Sequence, residues 1–154
     1  MDKHLLNLID TAIRREEEAH AFYLDIHGRI DDAAARETIQ WIAGEELKHK
    51  AFLEKYRDGG FGGSELRLSE VVYYKIAEYQ AEPEVTPRMY SAEVYLVAAH
   101  RELRSHGFYS ELAERHPQGE IRNMLLRMAN EELKHKEKME YLYANTAFPQ
   151  TDGG

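Results

Sequence analysis

A glutamate and a histidine three residues apart, Glu46 and His49, lie in the hexamer EELKHK, and the same hexamer returns 86 positions later with Glu132 and His135. Thirty residues ahead of each of these glutamates stands a further acid, Glu16 in EEEAHAFY and Glu102 in ELRSHGFY. Carboxylates and imidazoles are the oxygen and nitrogen donors of divalent and trivalent metal sites. A spacing of three residues sets Glu and His on one face of a helix. The chemistry to look for is therefore metal ligation by acids and histidines carried on helices.

The elements that would position these groups also repeat. At the same offset Ala12 falls on Ala98, His20 on His106, Tyr23 on Tyr109, Ile39 on Leu125 and Ile42 on Met128, without a gap from about 12 to 56. One duplicated supersecondary unit accounts for this register. Four helices are predicted, over about 4–27, from the 31–32 cap to about 57, over 91–115 and over 119–143, with Gly44 and Gly107 as their only interior glycines. Asp31 or Asp32 is the expected cap of the second helix and Ser91 that of the third, and Pro117 stops the third. The segment 58–90 holds the turn GGFGGS and a shorter predicted helix over 69–80, ended by Pro83 and Pro87. Short loops make each half an antiparallel hairpin, and a long crossover joins the halves. The expected architecture is all-α: one four-helix domain over 1–146, halves 4–57 and 91–143, crossover 58–90, and a loose tail at 147–154.

Within that frame the acids point inward. On the second helix, Ala35, Ile39, Ile42, Glu46, His49, Leu53 and Tyr56 form a three-four stripe that only Glu46 and His49 interrupt. On the fourth, Ile121, Leu125, Met128, Glu132, His135, Met139 and Leu142 repeat it. The first helix offers Ile13, Glu16, His20, Tyr23 and His27. The third offers Ala92, Tyr95, Ala99, Glu102, His106, Tyr109 and Ala113. Four buried carboxylates without counter-charge would cost several kcal/mol each or take up protons. None of these stripes contains Lys or Arg, so metal is the remaining counter-charge. Two divalent ions balance four Glu, and so does an oxo-bridged diferric pair, which favours iron; Mn or Zn are possible substitutes. Two Glu-x-x-His pairs plus one Glu from each remaining helix is the ligand pattern of di-iron carboxylate bundles.

The neighbouring residues divide less sharply. Glu45 and Glu131 sit beside the stripes, and Glu17 and Glu18 resemble them; all read as surface acids. Tyr23 and Tyr109 are either core aromatics or phenols that hydrogen-bond a ligand carboxylate. His20 and His106 are open between additional ligands, donors to the ligands and core-edge histidines.

Composition excludes several functions. The sequence has no cysteine, so disulfides, thiolate metal sites and thiol nucleophiles are ruled out. A net charge of −8 with scattered Lys and Arg argues against nucleic-acid binding. No apolar run reaches the ~20 residues of a membrane span. The opening stretch mixes charges among its apolar residues and does not read as a secretory signal, so a cytoplasmic protein is expected. The apolar crossover residues Val71, Val72, Tyr73, Tyr74 and Ile76 exceed what one helix face buries, which points to a homodimer.

REEEAHAFY resembles the first-helix signature of the rubrerythrins, in which a Glu is followed by Ala three residues on and Tyr seven on. EELKHK resembles their Glu-Glu-x-x-His helix, in both copies. The resemblance runs from about 8 to 143. It implies a ferritin-like four-helix bundle and a two-iron site that reacts with hydrogen peroxide or oxygen. By it, Glu16, Glu46, His49, Glu102, Glu132 and His135 are metal ligands, and Tyr23 and Tyr109 support them. Two departures stand out. Full-length rubrerythrins append a small iron domain held by four cysteines, which has no counterpart in this sequence, so electrons come from an external donor such as a rubredoxin-like protein. Ser105 stands where the family has a second Glu on the third helix. The resulting expectation is a peroxide- or oxygen-reducing di-iron oxidoreductase. Its rivals are a ferroxidase that handles iron and a non-catalytic metal-binding or sensor bundle.

Overall fold

The computed structural model of the protein describes residues 3–59 and 73–147. These contain four α-helices and no strand: α1 (Lys3–His27), α2 (Ala33–Arg57), α3 (Ser91–Glu114) and α4 (Glu120–Ala147). They fall into two compact units, one built on α1 and α2, the other on segment 73–90 with α3 and α4.

In the first unit the turn after α1 is closed by Arg29 N–H donating to the Ile26 carbonyl at 2.8 Å. Of the two candidate caps for α2, Asp32 is the one used. Its side chain accepts from Ala35 N–H at 2.9 Å, satisfying one of the amides a helix start leaves over. The hairpin core consists of apolar residues at three-four spacing: Ile9, Ala12, Ile13, Tyr23 and Ile26 from α1, and Ile39, Ile42, Phe52 and Leu53 from α2. Arg57, at the end of α2, reaches Asp10 near the start of α1 at 3.0 Å, as an antiparallel pair requires.

The second unit differs from expectation at three points. Ser91 is the first residue of α3 and Tyr90 holds the cap position; the Glu93 carboxylate reaches back to accept from Tyr90 N–H at 3.1 Å. This is the acid's half of a capping box. The α4 helix continues to Ala147, past its expected end near 143, while residues 148–154 of the expected tail lie outside those described.

The third difference is the crossover. The described part of the predicted 69–80 helix, residues 73–80, is not helical apart from one turn, in which Tyr79 and Gln80 N–H donate to the Ile76 carbonyl. The remaining part, with Val71 and Val72, lies outside the described residues. The backbone amides are spent elsewhere. Tyr74 N–H donates to the Glu137 carboxylate at 2.7 Å, and Ile76 N–H donates to Glu140. Lys75 between them takes a left-handed φ of 55°, which no helix accommodates. Segment 73–90 is thus a strap laid over α3 and α4. His100 Nε2 donates to the Gln80 carbonyl at 2.8 Å, and Arg104 grips Glu82 at 2.8 and 3.1 Å.

Under the strap lies a buried charge cluster that the inward stripes did not announce. Lys136, fully buried, sits 2.5 Å from Glu140, 2.6 Å from Glu78 and 3.1 Å from Glu137. Burial works against its ammonium, but the hydrogen bonds from Glu140, Glu78 and Glu137 outweigh it and hold the Lys136 pKa above its ordinary value. Three acids share this one cation. Burial pushes the Glu140 carboxyl up, against the pull of Lys136 and of the Ile76 amide.

Candidate metal centre

In the first unit the helix stripes carry acids and a histidine into the hairpin core. All seven stripe residues of α2, from Ala35 to Tyr56, are buried, including Glu46 and His49. On α1 the buried face is Ile9, Ile13, Glu16, Ala19, Tyr23 and Ile26; His27 lies at its edge. Glu16 is 3% exposed, Glu46 1% and His49 2%, levels that charged side chains reach only when matched by a partner or a metal. The His49 Nδ1 atom is 3.7 Å from Glu16 Oε2 and 4.0 Å from Glu46 Oε2. Ligand-capable atoms of these three residues all lie within 4.8 Å of one another.

The second unit repeats the arrangement. Glu102, Glu132 and His135 are 1%, 0% and 4% exposed. Their ligand-capable atoms again lie within 4.8 Å of one another, and His135 Nδ1 is 3.9 Å from Glu102 Oε2. Of the expected α4 stripe, Leu125, Met128, Glu132, His135 and Met139 are buried, and Ile121 and Leu142 at its ends are partly exposed.

Separations of 3.7–4.0 Å are too long for N–H···O hydrogen bonds. They fit donor atoms around a cation, since metal–donor distances of about 2.0–2.2 Å set neighbouring donors roughly 3–4 Å apart. The donor chemistry, two carboxylates and one imidazole per hairpin, suits Fe or Mn and admits Zn. Each hairpin therefore holds a buried Glu–Glu–His set that could take a metal ion.

The adjoining residues sort by contact. Glu45 and Glu131 are partly exposed and pair along their own helices, with Lys48 at 3.1 Å and Lys134 at 2.8 Å. Glu131 also brings an oxygen within 4.8 Å of a His135 ring nitrogen, as neighbours four apart on one helix do. Glu17 and Glu18 are exposed. Tyr23 and Tyr109 are only 0% and 1% exposed, and each meets its preceding Phe edge to face, at 5.6 and 5.2 Å between centroids. His20 and His106 are partly buried, and each donates Nδ1–H to a backbone carbonyl of the facing helix, Ala43 at 2.9 Å and Ala129 at 2.8 Å. Ser105 is partly exposed on α3. Spacing overlooked Lys136, Glu137 and Glu140, because they pack under the strap rather than along the stripes. The usable signal was the Lys136–Glu140 i,i+4 pair.

The family model described as Rubrerythrin matches residues 7–143. No curated protein matches the chain. Among solved structures, a hypothetical protein from Pyrococcus furiosus is similar at 27% identity with a TM-score of 0.64, over 96% of this chain and 92% of that one. Together with the four helices, these likenesses class the fold as all-α and ferritin-like. Among the described residues no helix is long and apolar enough to cross a membrane.

Proposed function

The chain belongs to the rubrerythrin family, and on that premise we propose that it is a non-haem di-iron oxidoreductase with a dinuclear carboxylate–histidine iron site. In this reading Glu16, Glu46, His49, Glu102, Glu132 and His135 would hold the iron. The four carboxylates would offset the charge of two divalent ions, and the two imidazoles would add nitrogen donors. When bound, a diferrous pair would supply two electrons that, with two protons from solvent, reduce hydrogen peroxide to two waters; oxygen is the alternative oxidant.

The protein's own residues bind, orient and screen. Ile42 and Leu53 flank Glu46 and His49, and Met128 and Met139 flank Glu132 and His135; all four are fully buried and keep bulk water from the ligands. The phenols of Tyr23 and Tyr109 are assigned to hydrogen-bond the ligand carboxylates. Re-reduction is assigned to an external donor, such as a rubredoxin-like protein. A homodimer in the cytoplasm completes the proposal.

The observation that carries this reading is the donor spacing within each hairpin, 3.7 and 4.0 Å in the first and 3.9 Å in the second, among nearly inaccessible acids. Anaerobic loading with Fe(II), then one equivalent of peroxide, tests it. Two Fe(II) per chain should oxidise and a near-ultraviolet oxo-bridged diferric band should appear. An unchanged spectrum would count against the proposal. Oxidation of many Fe(II) per chain would assign iron handling instead.

A further inference from the structure

His20 and His106 share one contact, made twice. His20 Nδ1–H crosses from α1 to the Ala43 carbonyl on α2 at 2.9 Å, and His106 Nδ1–H crosses from α3 to the Ala129 carbonyl on α4 at 2.8 Å. Donor and acceptor are 23 residues apart in both cases, at the 86-residue offset of the repeat. Around them the halves have diverged: Glu17 faces Leu103 in the alignment of the repeat, Glu18 faces Arg104, and Gly44 faces Asn130. A bond that survives such divergence within one chain is held by a requirement common to both hairpins.

The requirement can be read from the helix geometry. His20 lies four residues beyond Glu16, about 6 Å along α1, and Ala43 lies three residues before Glu46, about 4.5 Å along α2. In an antiparallel pair both steps run the same way, so the bond sits one turn from the level of the two carboxylates. It is also the kind of link that fixes axial register. Apolar side chains can slide past one another with little loss, whereas a ring N–H on a carbonyl loses its bond within a few tenths of an ångström. A helix carbonyl has two lone pairs, so it can accept the imidazole without giving up its place in the α2 ladder.

From this we infer that His20 and His106 are positioning residues of the metal centre. Each pins the helix that carries one ligand Glu against the helix that carries the Glu–His pair, and so sets the separation of Glu16 from Glu46 and His49, and of Glu102 from Glu132 and His135. The inference rests on the metal-centre reading above and adds to it two residues that hold ligands without touching metal.

Co(II) titration tests it, with the visible ligand-field absorption as the readout. His20→Phe keeps the ring volume and removes the donor. It should weaken Co(II) uptake about 10- to 100-fold, the range for losing a group that orients a ligand, and alter the absorption. His20→Asn carries an N–H donor where Nδ1 stood and should restore both. Ile26→Val, a core truncation elsewhere on α1 of similar stability cost, should leave both unchanged. If His20→Phe does not fold, His106→Phe and His106→Asn carry the same test in the other hairpin. Wild-type protein that takes up no Co(II) defeats the metal-centre reading. Wild-type uptake with Phe variants that bind equally well defeats the pin alone, as does an Asn variant no better than Phe.

Discussion

Lys50 and Lys136 are the last residues of the two EELKHK copies, and the structure assigns them very different energies. Lys136 is fully buried, with Glu140 and Glu78 at 2.5 and 2.6 Å and Glu137 at 3.1 Å. Lys136→Met keeps the chain length and removes the ammonium, leaving the buried Glu137 and Glu140 carboxylates without their cation. Breaking a buried pair from one side costs about 3–5 kcal/mol. The amides of Tyr74 and Ile76 still donate to those carboxylates, which places the expected loss near the lower end, about 3 kcal/mol. Lys50 instead reaches the half-exposed Glu17 at 3.5 Å with its own side chain 31% exposed. A pair so solvated is worth about 0–1 kcal/mol, so Lys50→Met should cost no more. At roughly 2–4 °C per kcal/mol for a domain of this length, metal-free Lys136→Met should melt about 6–12 °C below wild type, and Lys50→Met within about 4 °C. Thermal and urea melts of the apo-proteins measure this. Hydrogen exchange at Tyr74 and Ile76 should also speed up in Lys136→Met alone. Equal losses for the two lysines, or a Lys136→Met protein as stable as wild type, would refute the buried cluster.

Other perturbations separate the metal centre from its surroundings. Glu46→Ala and Glu132→Ala should each abolish stoichiometric loading of two metals, while Glu45→Ala, which removes a partly exposed partner of Lys48, should load normally by elemental analysis. Metal should stabilise the folded protein by about 2.7 kcal/mol at a free concentration one hundred times Kd, a gain seen as a rise in Tm that chelation reverses. Asp32→Ala removes the side-chain bond to Ala35 N–H and should cost about 0.5–2 kcal/mol, measured by urea unfolding of the apo-protein.

The helices and their inward stripes were legible because periodicity is a local property. Every α2 stripe residue from Ala35 to Tyr56 is buried, and the repeat carried that pattern to Leu125, Met128, Glu132, His135 and Met139. The crossover was not legible. Its 69–80 stretch has the composition of a helix, yet acids more than 60 residues later in the chain take the amides of Tyr74 and Ile76. Such a tertiary bond leaves no trace in a local window. The roles of His20 and His106 stayed open for a related reason: their acceptors are carbonyls, and a sequence does not mark which backbone groups a side chain will reach. The start of α3 turned on the reach of Glu93 to Tyr90, which a search for Ser, Thr, Asp or Asn caps passes over.

The strap also makes the two copies unequal as donors of substitutions to each other. Position 137 holds a buried Glu that accepts from Tyr74 N–H, and its counterpart, position 51, holds an exposed Ala. Importing the first copy's choice, Glu137→Ala, strands an amide. Importing the second's, Ala51→Glu, merely adds a solvated acid to an exposed helix face. Exchange between the halves is thus a one-way street at such sites: the first hairpin can take the second's residues, whereas the second cannot take the first's without losing its hold on the strap.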